Sequence, residues 1–195
     1  MKETLLYCIL YALAAVAVIP AVGAATGFIV STILRKVLSL LSRSGRLYLF
    51  VVNTLTFPGV YYHELSHALF AFLSGAKVNK IKLYEKKDGH LGYVTYTPRG
   101  FWFTRSIQLC LASCAPVIMG LIAEAILIRI IYNTALPTWG IVILFYLAFS
   151  ILLHMDMSKP DIRSYLKGCP FFFLLAFVIL FLTHGDGVWG SFFHF

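Results

Sequence analysis

Two histidines four residues apart with a glutamate after the first, His63-Glu64-Leu65-Ser66-His67, are the residues here whose types and spacing could do chemistry. On a helix, positions i and i+4 share a face, so the two imidazoles can grip one zinc ion. Glu64 is then placed to take a proton from a water bound to that ion, the chemistry of a metal-dependent hydrolase. With 6 histidines among 195 residues, the pattern should arise by accident in about 0.4% of chains of this composition, so chance explains it poorly. The plainer alternative is a polar patch. It is weak in an apolar stretch, where ionisable groups are expensive and are retained for function.

A catalytic zinc site needs a third protein ligand and keeps a fourth position for water. Downstream of the motif the acids are few: Glu85, Asp88, Glu124, Asp156, Asp161 and Asp186. Glu85 and Asp88 fall in a predicted hairpin and its turn, and Asp186 follows the last apolar run. Glu124 sits inside an apolar segment, where the alternative to ligation is a buried acid neutralised by a proton or by Arg129. Asp156 fits a charge at the membrane boundary. Asp161 and Ser158 fit a capping box at a helix start, with Pro160 in the first turn. His154 fits either a ligand or a hydrogen-bonded boundary residue. The residues alone leave the third ligand open among these, and an oxyanion partner open among Asn53, His90 and His154.

The elements that must position these groups lie in lipid. The chain is 60% hydrophobic and 12% charged, against about 25% charged for an average soluble domain. Residues 4–34, 106–123, 130–155 and 168–185 contain no Asp, Glu, Lys or Arg, and a spanning helix needs about 20 mostly apolar residues. These runs define a multi-pass integral membrane protein, in the cytoplasmic membrane if the source is bacterial. The first apolar stretch is too long for a secretory h-region, so it reads as a retained segment despite the small residues Ala21 to Ala25. The net charge of +8 comes from Lys and Arg beside the apolar runs. That pattern suits orientation and anionic lipid headgroups and argues against nucleic acid as a partner. Cys8, Cys110, Cys114 and Cys169 read as small packing residues, since no Cys pair completes a zinc-site spacing.

The whole chain, 1–195, reads as one domain: an α-helical integral membrane protein of about five apolar segments, with a small β-hairpin inserted after the motif helix. The first segment covers 4–33, with Pro20, Gly23 and Gly27 as bends. A basic connector at 34–46 carries Arg35, Lys36, Arg43 and Arg46. The second segment, 47–75, is interrupted by Pro58-Gly59, so a fresh helix is predicted from about Val60 to Ser74. Residues 77–97 alternate lysines with apolar and β-branched residues around Asp88-Gly89, which predicts a hairpin. Further segments follow at about 106–132, with Pro116 and Gly120 as bends, 138–156 and 169–184, the last short enough for little tilt or an incomplete crossing. The basic hairpin and the loop at 157–168 favour the cytoplasmic side. The connector then lies outside, or the first segment is not a simple span.

The stretch Pro58-Gly59-Val60-Tyr61-Tyr62-His63-Glu64-Leu65-Ser66-His67-Ala68, with Gly75-Ala76-Lys77-Val78, Leu91-Gly92-Tyr93-Val94, Ala115 to Gly120 and Ser158-Lys159-Pro160-Asp161, resembles the small membrane-embedded metallopeptidases of the site-2 protease (M50) clan. The resemblance covers about residues 55–165. It implies an intramembrane zinc endopeptidase whose metal ligands are His63, His67 and Asp161, with Asp156 in reserve, and whose water is activated by Glu64. Many members hold that aspartate in an Asn-Pro…Asp-Gly motif, and here neither the asparagine nor the following glycine is present. The resemblance also implies a membrane-associated β-element after the motif helix. Such an edge, the 78–96 hairpin, could hold an unwound membrane-protein substrate by strand addition.

Two other readings compete. One is a metal-binding membrane protein that cleaves nothing and acts as a scaffold or assembly factor. The small size and the aromatic-rich stretch from Trp189 to Phe195 suit contact with membrane protein partners. The other is a transporter, which needs more intramembrane ligands than the chain carries.

Overall fold

The computed structural model describes residues 2–83 and 91–184. The predicted Asp88-Gly89 turn, Glu85, His90, Asp186 and the aromatic stretch 189–195 lie outside the described residues. Six α-helices and one two-stranded sheet follow in the order α1 (Lys2–Leu41), α2 (Arg46–Phe50), a π-helical turn (Val51–Leu55), α3 (Phe57–Leu73), β1 (Lys77–Lys82), β2 (Tyr93–Thr97), α4 (Trp102–Asn133), α5 (Thr138–Leu153) and α6 (Lys159–His184). Three of these helices, α1, α4 and α6, are long and apolar enough to cross a membrane, and α5 is a shorter apolar helix.

Helix α1 is longer than its apolar run. The helix carries Arg35 and Lys36 within it and stops only before Gly45, whose positive φ of 68° suits a residue without Cβ. Its 40 residues reach about 60 Å at 1.5 Å each, twice a hydrocarbon slab of about 30 Å. The basic connector is thus a short link at 42–45. Helix α6 likewise starts at Lys159, ten residues before the apolar run at 169. Its 26 residues correct the expectation of a short last segment.

Close contacts between helices fall at three of the glycines expected to bend them. A Cβ at Gly23 would stand 2.7 Å from Val117 of α4, and one at Gly27 would stand 2.6 Å from the Asp156 Cβ. One at Gly120 would meet Met155 at 2.4 Å. Four-residue spacing puts Gly23 and Gly27 on one face of α1, the small-residue arrangement that lets membrane helices approach closely. Cys110, Cys114, Val117, Met157 and Tyr165 form a buried core between α4 and α6, with Val16 and Ile19 of α1 packed on it. All four cysteines are free, as packing residues should be. The Tyr165 hydroxyl donates to the Val16 carbonyl, tying α6 to α1.

The motif helix starts at Phe57 rather than Val60, with Pro58 in its first turn, where a missing N–H is harmless. Its entrance is unwound, and α5 satisfies the freed backbone groups. The Tyr146 hydroxyl donates to the Leu55 carbonyl at 2.6 Å. The Ser150 hydroxyl accepts from Gly59 N–H at 2.8 Å and donates to the Thr56 carbonyl at 3.0 Å. Irregular backbone is tolerated at membrane depth only where protein supplies such partners. At its other end, Gly75 N–H bonds the Phe72 carbonyl and Ala76 N–H the Ala71 carbonyl, with φ 86° at Gly75. This is a Schellman stop that turns α3 directly into β1.

An isolated two-stranded hairpin is barely stable in water; this one is anchored. The strands pair antiparallel, Val78 opposite Tyr96, with an irregularity between Val78 and Lys80. Val78 and Tyr96 pack on Ala71, Ala76 and Ala112 of α3, its exit and α4. Buried Gln108 of α4 donates to the Ser74 carbonyl at 3.2 Å and accepts from Arg99 N–H at 2.7 Å, so one side chain holds both the exit of α3 and the exit of β2.

Candidate metal centre

Helix α3 carries His63, Glu64 and His67 past the start of α6, where Asp161 sits in the first turn. The Nε2 atoms of His63 and His67 lie 3.0 Å apart, and Asp161 Oδ1 lies 3.4 Å from His67 Nε2. One ligand atom from each of the three lies within 4.8 Å of the others. His67 and Glu64 are buried, at 5% and 8% exposure.

Each imidazole is oriented from behind. His63 Nδ1 is 2.6 Å from the His154 carbonyl oxygen, and His67 Nδ1 is 2.7 Å from the Ala112 carbonyl oxygen. A carbonyl can only accept, so each Nδ1 carries a hydrogen, and in a neutral ring of that tautomer Nε2 is bare toward its neighbour. With both rings neutral, two lone pairs and a carboxylate oxygen converge on one point. A metal ion among them relieves their repulsion, as a proton on His67 Nε2 does in its absence. Tetrahedral zinc with bonds of about 2.0–2.1 Å sets its ligand atoms about 3.3–3.4 Å apart, close to the separations seen. The donor set and the second hydrogen bond on each ring both fit zinc.

Asp161 divides its two oxygens. Oδ1 faces His67, while Oδ2 accepts from Ser158 N–H at 2.9 Å and from the Ser158 hydroxyl. Capping the helix and facing the histidines are thus compatible roles of one side chain. Asp156 and Glu124 are not in the cluster. Asp156 is exposed on the turn between α5 and α6 and packs on Gly27. Glu124 lies farther along α4, three turns past Ala112. Glu124 is not brought to the histidines, whereas Asp156 borders the cavity beside them without joining the cluster.

A cavity of about 370 Å³ opens on the cluster, lined by His63, Glu64, His67 and Asp161, by Leu91 to Val94 and Tyr96 of the hairpin, and by Asn53 of the π-helical turn. Gly92 lies directly on Glu64: a Cβ there would stand 2.9 Å from Glu64 Cγ and 2.8 Å from the Lys82 carbonyl. The hairpin thus forms one wall of the cavity beside the glutamate.

A family model, Peptidase M50B-like, matches residues 30–188. The chain belongs to this family. No curated protein and no solved structure matches it. Membership in the M50B-like peptidases, with three helices apolar enough to span, makes the chain an integral membrane protein of a peptidase family. The matched range includes the whole histidine–aspartate cluster and the hairpin beside it.

Residues that sequence reasoning missed are those whose role is played by backbone. The carbonyls of Ala112 and His154 orient the two rings, and every residue has a carbonyl, so no residue type signals them. The His154 ring is not in the cluster, and its Nε2 is 2.9 Å from Thr56 Oγ1.

Proposed function

We propose that this M50B-like chain is an intramembrane, zinc-dependent endopeptidase that hydrolyses peptide bonds of membrane-protein substrates. The observation that carries this reading is the convergence of two imidazole Nε2 atoms and a carboxylate oxygen, with a buried glutamate beside them. His63, His67 and Asp161 hold the ion. Zinc supplies Lewis acidity there, polarising a carbonyl and acidifying water. Glu64 accepts the proton of the attacking water at its carboxylate and later delivers it to the leaving amine. The Ala112 and His154 carbonyls keep the imidazoles aimed, and Ser158 keeps Asp161 Oδ1 aimed.

A helical substrate hides its carbonyls in its own hydrogen bonds and must unwind before attack. Strand β2 borders the cavity, and an extended peptide added to its edge lies beside Glu64. The chain works as one multi-pass unit in this reading, in the cytoplasmic membrane of a bacterial cell, with its lysine-rich hairpin toward anionic headgroups.

The test is Glu64→Gln in the full-length purified chain. Zinc content stays at the wild-type stoichiometry while cleavage of a membrane-embedded reporter falls at least about 10²-fold. Unchanged cleavage with zinc retained would assign the ion a structural role and the chain the role of a silent scaffold.

A further inference from the structure

Helix α4 touches both the hairpin and a zinc ligand, and one buried amide makes the connection. Gln108 is 4% exposed. Its Oε1 accepts from Arg99 N–H at 2.7 Å, and its Nε2 donates to the Ser74 carbonyl at 3.2 Å. A primary amide accepts and donates at once. A carboxylate would leave the Ser74 carbonyl without a donor, and an apolar side chain would leave both backbone groups unpaired.

Gln108 and Ala112 are four residues apart on α4 and share a face. The Ala112 carbonyl accepts from His67 Nδ1 at 2.7 Å. Ser74 caps α3, the helix that carries His67. Helices α3 and α4 are thus pinned twice, at His67 to Ala112 and at Ser74 to Gln108. The second pin also grips Arg99, just past the end of β2. Thr104, one turn before Gln108 on α4, holds the same residue, with its hydroxyl 3.1 Å from the Arg99 carbonyl. Both backbone groups of Arg99 therefore bond side chains of one helix face, and the His67 ring bonds the backbone of that face. Thr104, Gln108 and Ala112 set the distance from the exit of β2 to the histidine pair.

The hairpin also packs on the helices through Val78 and Tyr96, against Ala71, Ala76 and Ala112. Apolar contact is non-directional. It keeps the sheet on the helices without fixing its level along the strand axis. The bonds at Arg99 are directional and fix that level. At the other end of β2, Gly92 lies on Glu64. The part of β2 that borders the cavity runs between these two points.

We propose that Gln108 is a positioning residue for the substrate: by gripping Arg99 it fixes the level of β2 against the zinc ligands and so selects which peptide bond of a strand-bound substrate is cut. This rests on the endopeptidase reading above and its strand addition. The probe is a quenched fluorescent peptide containing a transmembrane segment, with its products identified by mass spectrometry. The full-length zinc-loaded chain cuts it at one bond; several cuts by the wild type overturn the proposal. Gln108→Leu keeps size and removes both bonds. In it zinc stoichiometry is unchanged, KM rises about tenfold and kcat stays within about threefold. The cut spreads to bonds about two residues to either side, the slip that keeps the same side chains facing the cavity. Amide hydrogen exchange across Tyr93–Thr97 quickens at least about tenfold, with or without zinc. Gln108→Glu keeps an acceptor for Arg99 N–H and restores the single cut. One cut in Gln108→Leu with unchanged exchange overturns the proposal. So does loss of zinc in parallel with kcat, since that marks a merely structural residue. Should Gln108→Leu fail to fold, Arg99→Pro carries the test: it removes the N–H and leaves the buried amide on Ser74, and the same spread of cuts is expected of it. A single cut in folded Arg99→Pro overturns the proposal equally. Glu64→Gln run alongside separates the two claims. If it abolishes cleavage while Gln108→Leu still cuts one bond, only the positioning role falls. If Glu64→Gln cleaves like wild type, the endopeptidase reading falls and the positioning role with it.

Discussion

At Asp161 the same carboxylate closes a helix and faces a histidine pair, and the division of its oxygens gives Ser158 a measurable part in metal binding. With Oδ2 accepting from the Ser158 amide and hydroxyl, the carboxylate cannot rotate without losing its cap. Ser158→Ala removes the hydroxyl and leaves the amide. Stability then falls by about 1 kcal/mol, the usual value of such a cap, and zinc affinity falls about 10–100-fold, as for outer partners of metal ligands generally. Competition with a chelator of known affinity reads the second effect, and thermal unfolding in detergent reads the first. A variant with wild-type zinc affinity would mean that Oδ1 is aimed by α6 alone. At this scale much was readable from sequence. His63, Glu64 and His67 announce themselves by spacing, and the capping pair Ser158–Asp161 by residue type. The choice of Asp161 over Asp156 or Glu124 came only with a family resemblance. In the fold it follows from the turn between α5 and α6, which points Asp161 at the histidines and leaves Asp156 exposed.

Among elements, the hairpin is the one whose placement has consequences for chemistry. Gly92 lets the start of β2 lie on Glu64, with no room for a Cβ between them. Gly92→Ala therefore pushes the strand or the glutamate by several tenths of an ångström. Cleavage falls while the histidine–aspartate cluster, which the substitution does not touch, keeps its zinc. Parallel measurement of reporter cleavage and bound zinc checks this, and full activity would show that the strand is not in register with Glu64. A second substitution probes strand addition itself. Val94→Pro removes an N–H from β2 and disrupts pairing with Ile81. It abolishes cleavage and leaves zinc in place; retained cleavage would rule out the β2 edge as the substrate's docking strand. The hairpin strands were legible because the β-branched run Val94-Thr95 is a local signal. The helix ends were less so. Hydropathy breaks at Arg35-Lys36 and at Arg163 and Lys167, but hydrogen bonding of the helix continues through charged residues, so α1 ends later and α6 begins earlier than their apolar runs.

Across the whole molecule, α1 contributes none of the clustered ligand atoms, yet it packs on the turn that positions Asp161. Gly23 and Gly27 looked like bends because a missing Cβ reads the same in sequence whether it serves a flexible φ or a close approach. In the fold both glycines make close approaches, Gly23 on Val117 and Gly27 on Asp156, and the Val16 carbonyl accepts from the Tyr165 hydroxyl. These three contacts run along α1 and hold the α5–α6 turn against α1, so the third ligand is held by tertiary packing as well as by its own cap. Gly27→Val inserts a branched side chain where even a Cβ is 2.6 Å from the Asp156 Cβ. Overpacking of this kind costs about 1–3 kcal/mol. Because it acts on the turn rather than on α3, its effect on metal is selective. The His63–His67 pair stays aligned by Ala112 and His154, while Asp161 loses its fixed distance. The expected outcome is a lower unfolding temperature in detergent together with weaker zinc binding that tightens again in a Gly27→Ala variant, whose smaller group asks less of Asp156. An unfolding temperature and zinc affinity both unchanged in Gly27→Val would show that α1 is not held against the turn.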